Sequence, residues 1–411
     1  MFKPQCLARG IANAAVSLAA AALVALAGAD PSRAAERGLA DAYNRTGFAL
    51  FEQRGSQPGN LVLSPLGIGT VMAMARLGAR GETAEEMARV LSLAMPADEL
   101  ASAAAAYGDE LVALSRDGVL LSVANALHLT RFGGVVSPTY QRLLAADFDA
   151  ELFAKSDLAA VNDWVKEKTS GRIERILDKL DPLSVCVLLN AVYFKAEWDR
   201  QFNASLTREG DFHLADGGIA KVPFMQVDAP FRMVSAHAFE AIALPYKGSR
   251  LAMVIMLPMA GAGAYPLPGG LSAESFEAIL AGLRDAEAEP VRLRMPRFKI
   301  EADLDLVADF QALGLRLAFD ADRADFTGIT ESSEETDRLH ITQLRHKTFI
   351  EVSEAGTEAA AATAVEFGIR SARPASRPFD IDRPFLFYLV DEQTKTVLFM
   401  GRVMDPRPSG S

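Results

Sequence analysis

Apolar positions recur at helical spacing through much of the first half of the chain, and short, nearly continuous apolar runs dominate afterwards. Ser64 followed by Pro65 predicts an N-cap with proline in the first turn. The helix it opens runs through Val71, Met74, Ala75 and Leu77 and stops at Gly78. Thr83 with Glu86 three positions on predicts a capping-box start for a second helix through Met87, Val90 and Leu91. A third amphipathic helix is predicted from Leu158 through Trp164 to Thr169. Strands are predicted at Leu120 to Leu129, Val185 to Lys195, Ile242 to Pro245, Leu251 to Leu257, Leu339 to Val352, Phe385 to Val390 and Val397 to Val403. Helices and strands are both plentiful but do not alternate, which points to an α+β fold with several sheets rather than a doubly wound parallel one.

The amino end has a different pattern. Lys3 and Arg9 precede an apolar run from Ile11 to Ala27, and Ala27, Gly28 and Ala29 stand directly before Asp30. That order reads as a signal peptide over residues 1–29, which implies a secreted or periplasmic protein. No later stretch is long or apolar enough to span a membrane. No repeat and no long linker divides residues 30–411, so one large domain is expected there.

Composition and charge narrow the classes. Half of the 411 residues are hydrophobic and 23% are charged, the balance of a globular chain rather than a disordered one. Acidic residues outnumber basic ones by 53 to 42, giving a net charge of −11, which argues against nucleic acid as a partner. Cys6 leaves with the signal peptide and Cys186 remains alone in an apolar run, so no internal disulfide forms and Cys186 reads as a packed core residue. The five histidines form no HExxH motif and no Cys/His cluster, so no metal or cofactor is expected. No GxSxG elbow, Walker A loop or GxGxxG follows a strand, which leaves only a triad assembled by folding as a route to catalysis. The sequons at Asn44 and Asn203 are short enough to arise by chance.

One segment stands apart. From Glu354 to Asp382 the chain is rich in small residues, carries Arg370, Arg373 and Arg377, and has few large apolar side chains. A stretch of this length without its own periodicity is usually functional.

The run Asn190-Ala191-Val192-Tyr193-Phe194-Lys195-Ala196-Glu197-Trp198, continuing to Phe202, resembles the serpin signature. Four further blocks agree in family order. They are Asn60 to Leu77 with Ser64-Pro65; Asp211-Phe212-His213 with Lys221-Val222-Pro223; His346-Lys347 with the hinge from Glu354 to Ala361; and Arg383 to Phe387 with Leu398 to Val403. The resemblance implies the serpin fold, with three β-sheets, about eight or nine helices and an exposed reactive-centre loop at about 354–378. In that family the loop is bait for a protease, and after cleavage its first half enters the largest sheet as a new strand. The chain would supply no catalytic residue of its own.

The hinge residues Glu354, Gly356, Thr357, Glu358, Ala359, Ala360, Ala361 and Ala362 suit that role. With Thr357 facing inward, Ala359, Ala361, Thr363, Val365 and Phe367 follow it to the core, and both charges, Glu358 and Glu366, fall outward to solvent. Proline is absent from Glu354 to Arg370, so every inserting amide can donate. The family's spacing from Gly356 puts the reactive bond at Arg370–Ser371, and an arginine there implies a trypsin-like serine protease trapped as a covalent acyl complex. Arg373 and Arg377 precede prolines and are poorer sites.

Ser64, Asn190 and His346 resemble the polar cluster beneath the opening of the main sheet, and Lys195 and Trp198 belong to the signature. Gly67 stands where relatives often have a second serine, which implies a thinner or water-filled cluster. Arg297 and Glu354 match positions that pair across the base of the loop, as a surface salt bridge of at most about 1 kcal/mol. No Lys or Arg lies between Val90 and Ser115, so a heparin-type polyanion is not expected as a partner, and a monomer is. Two other classes stay in view: a non-inhibitory serpin acting as chaperone, carrier or protease substrate, and an enzyme with an unrecognised triad.

Overall fold

The computed structural model describes residues 31–115, 118–130, 135–154, 157–179, 185–236, 238–259, 271–330, 339–357 and 375–408. Eight α-helices stand among them. The first, α1 (Pro31–Gln53), buries Leu39, Tyr43 and Phe51 against α2 (Pro65–Gly78). The predicted start of α2 is present: Ser64 is extended, and its hydroxyl accepts the Gly67 amide at 3.0 Å. This helix is buried along nearly its whole length.

The capping box predicted for α3 (Gly81–Val90) does not form. The helix begins two residues before Thr83, and Arg80 at the cap makes no side-chain hydrogen bond to it. Thr83 instead accepts the amide of Asp325, and Glu86 accepts those of Arg316 and Leu317 at 2.8 and 2.7 Å. Both side chains tie down a distant segment, a use that local spacing does not reveal. The other helices are α4 (Ala97–Leu114), α5 (Pro138–Phe148), α6 (Leu158–Lys168, capped by Asp157), α7 (Ala273–Asp285, capped by Ser272) and α8 (Val307–Ala312).

The strands form two hydrogen-bonded sheets. The larger runs in the order β1 (Leu61–Leu63), β15 (Val397–Val403), β14 (Phe385–Asp391), β8 (Leu251–Pro258), β7 (Phe239–Pro245), β6 (Ile219–Ala236), β9 (Glu289–Pro296) and β13 (Arg377–Asp380), with β5 (Arg208–His213) also on β6. Strand β6 changes partners along its length: residues 219–224 pair with β5, residues 224–231 with β9, and residues 232–236 with β7. The three expected sheets are therefore present as three paired regions, two of which share one long strand.

The second sheet carries the site. Its order is β10 (Phe298–Asp305), β11 (Ile341–Val352), β12 (Gly356–Thr357), β4 (Cys186–Glu197), β2 (Leu120–Leu129) and β3 (Ala150–Ala154). Antiparallel ladders join β10 to β11 and β4 to β2. Between them, β11 and β4 run parallel from Ile341↔Cys186 to Phe349↔Tyr193. Beyond that point the two strands part, and β12 lies between them, antiparallel to both.

One face of β4, with Leu188, Val192, Phe194 and Ala196, packs into the main core. The other face, with Val187, Leu189, Ala191 and Tyr193, packs beneath Val161 and Val165 of α6 and Ile173, Ile176 and Leu177 after it. The face expected to meet solvent is thus covered along this stretch. Cys186 lies in the core as predicted, and burial pushes its thiol up to about 12. Asn44 is buried, with its amide donating to the Lys395 carbonyl and its oxygen accepting the Val397 amide, both at 2.9 Å, so that sequon cannot carry a glycan in the folded chain.

Candidate functional site

The seam between β11 and β4 gathers the predicted site residues at two levels. At the lower level Asn190 of β4 and His346 of β11 are direct partners in the parallel ladder. The Ser64 amide donates to His346 Nε2 at 3.0 Å, and His346 Nδ1 donates to Asn190 Oδ1 at 2.7 Å. The Asn190 amide then donates to Asn125 Oδ1 of β2 at 2.7 Å. All four residues are buried. Each buried polar group thereby gains a partner, and the chain spans three strands and the start of α2.

This arrangement sets the tautomer of His346. Its Nε2 must accept, so the ring is neutral with the proton on Nδ1. Burial, with a smaller contribution from the positive charge of Arg54, pushes its pKa down to about 3. The cluster is not thinner for having Gly67. A Cβ at that position would stand 2.3 Å from Asn190 Oδ1 and 2.7 Å from Val192 Cγ2, so the Asn190 side chain already fills the space a serine would take. That overturns the expectation of a water-filled cluster. Asn125 was not foreseen, because an asparagine in an apolar strand carries no local signal of its cross-strand partner.

At the upper level the start of the hinge is held between the parting strands. Gly356 pairs with Glu197, and Thr357 pairs with Ala196 and Val352. A Cβ on Gly356 would lie 2.0 Å from the Ala196 carbonyl oxygen, so only glycine lets the chain pass this close. Thr357 faces the core, the orientation assumed for the alternation above, and is fully buried, its hydroxyl 2.6 Å from the hydroxyl of Tyr246. Trp198 stacks on Tyr246 with ring centres 4.6 Å apart, and its indole donates to the Ser353 carbonyl at 2.9 Å. Lys195 is half-buried on β4, one residue from Ala196.

Glu354 and Arg297 pair as predicted, but not on the surface. The Glu354 side chain is 10% exposed, and its carboxylate accepts from Arg297 Nε at 2.8 Å, from Arg297 Nη2 and from the Thr207 hydroxyl. Burial alone would raise its pKa, yet the donors from Arg297 and Thr207 outweigh that and hold it below the usual carboxylate value. Arg297 is the more open partner at 46% exposure. The remaining hinge residues Glu358, Ala359, Ala360, Ala361 and Ala362 lie outside the described residues, as do Arg370 and Ser371. Among the described residues no group of three His, Cys, Asp or Glu side chains could hold a metal ion.

Fold and site together define a mixed α+β protein whose six-stranded sheet parts at one end around Gly356 and Thr357. A family model described as Serpin (serine protease inhibitor) matches residues 41–406. An uncharacterized serpin-like protein of Thermococcus kodakarensis is 38% identical over 383 residues, covering 90% of this chain and 87% of its own length. Serpin B8 of Homo sapiens is 34% identical, over 90% of this chain and 99% of its own. Among solved structures, native protease nexin-1 with heparin superposes with a TM-score of 0.80 at 30% identity, covering 90% of this chain and all of its own. The thermophilic serpin tengpin in its native state gives 0.77 at 27% identity, covering 89% of this chain and 94% of its own. The chain belongs to the serpin family.

Proposed function

We propose that the chain is an exported inhibitor that acts as a suicide substrate and traps trypsin-like serine proteases, working as a monomer after residues 1–29 are removed. The observation that carries this reading is the seating of Gly356 and Thr357 between β11 and β4. A strand continuing from Thr357 in the same register would be antiparallel to both neighbours. It would replace one parallel seam with two antiparallel ladders.

The register can be followed residue by residue. Thr357 stands beside Ala196 and Val352. Extending the pairing puts Glu358 between Lys195, an opposite charge, and Glu351, a like one. Ala361 falls between Val192 and Thr348, and Thr363 between Asn190 and His346, where a hydroxyl suits the polar cluster. The outward residues Ala360, Ala362 and Ala364 would pass under α6 and Ile173, which is the reason for small side chains there. The net gain is about a dozen residues' hydrogen bonds at roughly 1 kcal/mol each plus several buried side chains, on the order of 10 to 20 kcal/mol. A gain of that size rivals the stability of a whole domain and makes insertion one-way.

The protease serine attacks the Arg370 carbonyl, the Ser371 amine leaves, and Arg370 remains esterified to the enzyme. Insertion then drags the ester away from the oxyanion donors that would support its hydrolysis. The test is incubation with trypsin. A complex that survives SDS, with a new amino end at Ser371, is the expected result. Complete cleavage without a complex would replace the reading with a non-inhibitory one, and a new end elsewhere would move the reactive bond. Fractionation of cells expressing the full chain, with amino-terminal sequencing, tests the exported location and a mature start at Asp30.

A further inference from the structure

A second site lies far from the seam. The carboxyl end of α2, the amino ends of α3 and α4 and one turn of α5 line an open cleft of about 460 Å3, with Arg76, Leu77, Arg80, Ala84, Ala101 and Leu143 in its wall. Its volume falls in the range that holds small organic ligands.

The two arginines are the anomaly. Arg76 is partly buried in the last turn of α2, and its Nε is fully enclosed without a hydrogen-bond partner. Burial and then the neighbouring charge of Arg80 lower its pKa, and no carboxylate enters to offset them. Among the described residues neither guanidinium forms an ion pair; Arg80 is exposed, whereas Arg76 is half-buried, where a charge is normally paired. Arg80 cannot swing away to relieve the repulsion. Its Nη1 donates to the carbonyls of Leu77 and Ala79 at 3.0 and 2.7 Å, and its head packs on Gly328, where a Cβ would stand 2.4 Å from Cζ.

The surroundings favour an anion over water. The cap residues of α3 and α4, Arg80 and Pro96, make no side-chain cap hydrogen bonds. Glu82 in the first turn of α3 and Asp98 and Glu99 in that of α4 nonetheless offset the positive helix ends, so the two guanidiniums are what an anion would meet. Asp98 also lines the cleft but is exposed and pairs with neither arginine. The rest of the wall is apolar, with Leu77 and Ala79 buried and Ala84, Ala101 and Leu143 half-buried. An inorganic anion would satisfy the arginines and leave that wall wet. An apolar molecule would cover the wall and leave the charges unpaired.

We propose that this cleft binds a small amphiphilic carboxylate, its carboxylate bridging Arg76 and Arg80 and its apolar body lying on Leu77, Ala84, Ala101 and Leu143. The proposal does not depend on the inhibitory reading.

The proposal is tested by calorimetric titration of the intact protein with decanoate below its micellar concentration, with 1-decanol and inorganic phosphate as matched probes. One saturable site for decanoate is expected, binding at least about tenfold tighter than either probe, since each probe lacks one of the two interactions. Arg76→Gln should weaken decanoate at least about tenfold while leaving the unliganded protein at least as stable, because the unpaired charge is gone. Leu143→Asp should weaken it without touching either arginine, and Arg284→Gln, far from the cleft, should not. Equal binding of decanoate and decanol, equal binding of decanoate and phosphate, or an Arg76→Gln variant that binds normally or fails to fold would each overturn the proposal.

Discussion

The hydroxyls of Thr357 and Tyr246 lie 2.6 Å apart in a fully buried contact, which fixes Thr357 inside the six-stranded sheet. The stack of Trp198 on Tyr246 holds the other side of that contact. Loop and sheet are therefore joined by side chains as well as by the backbone pairing of Gly356 and Thr357.

The first prediction concerns that contact. Thr357→Arg places a charge where the chain is fully enclosed, at a cost of several kcal/mol when unpaired. Insertion slows while cleavage of the loop does not. With trypsin, the ratio of cleaved to complexed protein should rise at least about tenfold by densitometry of SDS gels. An unchanged ratio would show that the seating of Thr357 is irrelevant to trapping.

A second prediction follows from the neutral His346. Its folded pKa of about 3 lies below the unfolded value of about 6.5, so the unfolded chain binds the extra proton. The native state keeps this contribution above pH 6.5 and loses it progressively as pH falls toward 3, by about 2 kcal/mol at pH 5. Denaturant midpoints measured from pH 7.5 to 4.5 should fall more steeply in the wild type than in His346→Gln. Glutamine can keep both hydrogen bonds without titrating.

Gly67→Ala supplies the third. The new methyl would press on Asn190 Oδ1 at 2.3 Å and on Val192, so overpacking of about 1 to 3 kcal/mol is expected by chemical denaturation. In an Asn190→Ser background the added cost of Gly67→Ala should shrink, because the shorter side chain vacates part of the space. Strict additivity would place the clash elsewhere.

The ion pair at the base of the loop supports a fourth. Glu354 is enclosed and accepts three donors, while Arg297 is partly screened by water, so a double-mutant cycle with Glu354→Gln and Arg297→Gln should give a coupling of about 1 to 2 kcal/mol. The carboxylate's pKa lies below its unfolded value of 4.5, so its contribution is complete above that pH and is lost as pH falls further. A coupling near zero at pH 7 would return the pair to the status of an ordinary surface contact.

Much of the fold was legible where a residue's role is local. Ser64 and Pro65 opened α2 at the predicted residue, and the runs at Leu120–Leu129 and Val397–Val403 are strands with the predicted ends. Thr83 and Glu86 had the right spacing for a cap, yet both hold the segment from Arg316 to Asp325. Strand β6 went unread because it changes partners midway, and its exposed and buried positions lose their alternation there.

By itself the sequence determined the α+β class, the family resemblance and the small-residue, proline-free hinge, because these rest on local spacing and on residue type. Tertiary structure alone decided that Asn125 completes the polar chain, that Asn190 fills the space beside Gly67, that Glu354 is enclosed and that Arg76 and Arg80 share an unpaired cleft. The first three depend on groups brought together from distant parts of the chain, and the cleft beside Arg76 and Arg80 on walls from other helices, where hydrogen-bond reach and excluded volume act on positions that local pattern does not encode.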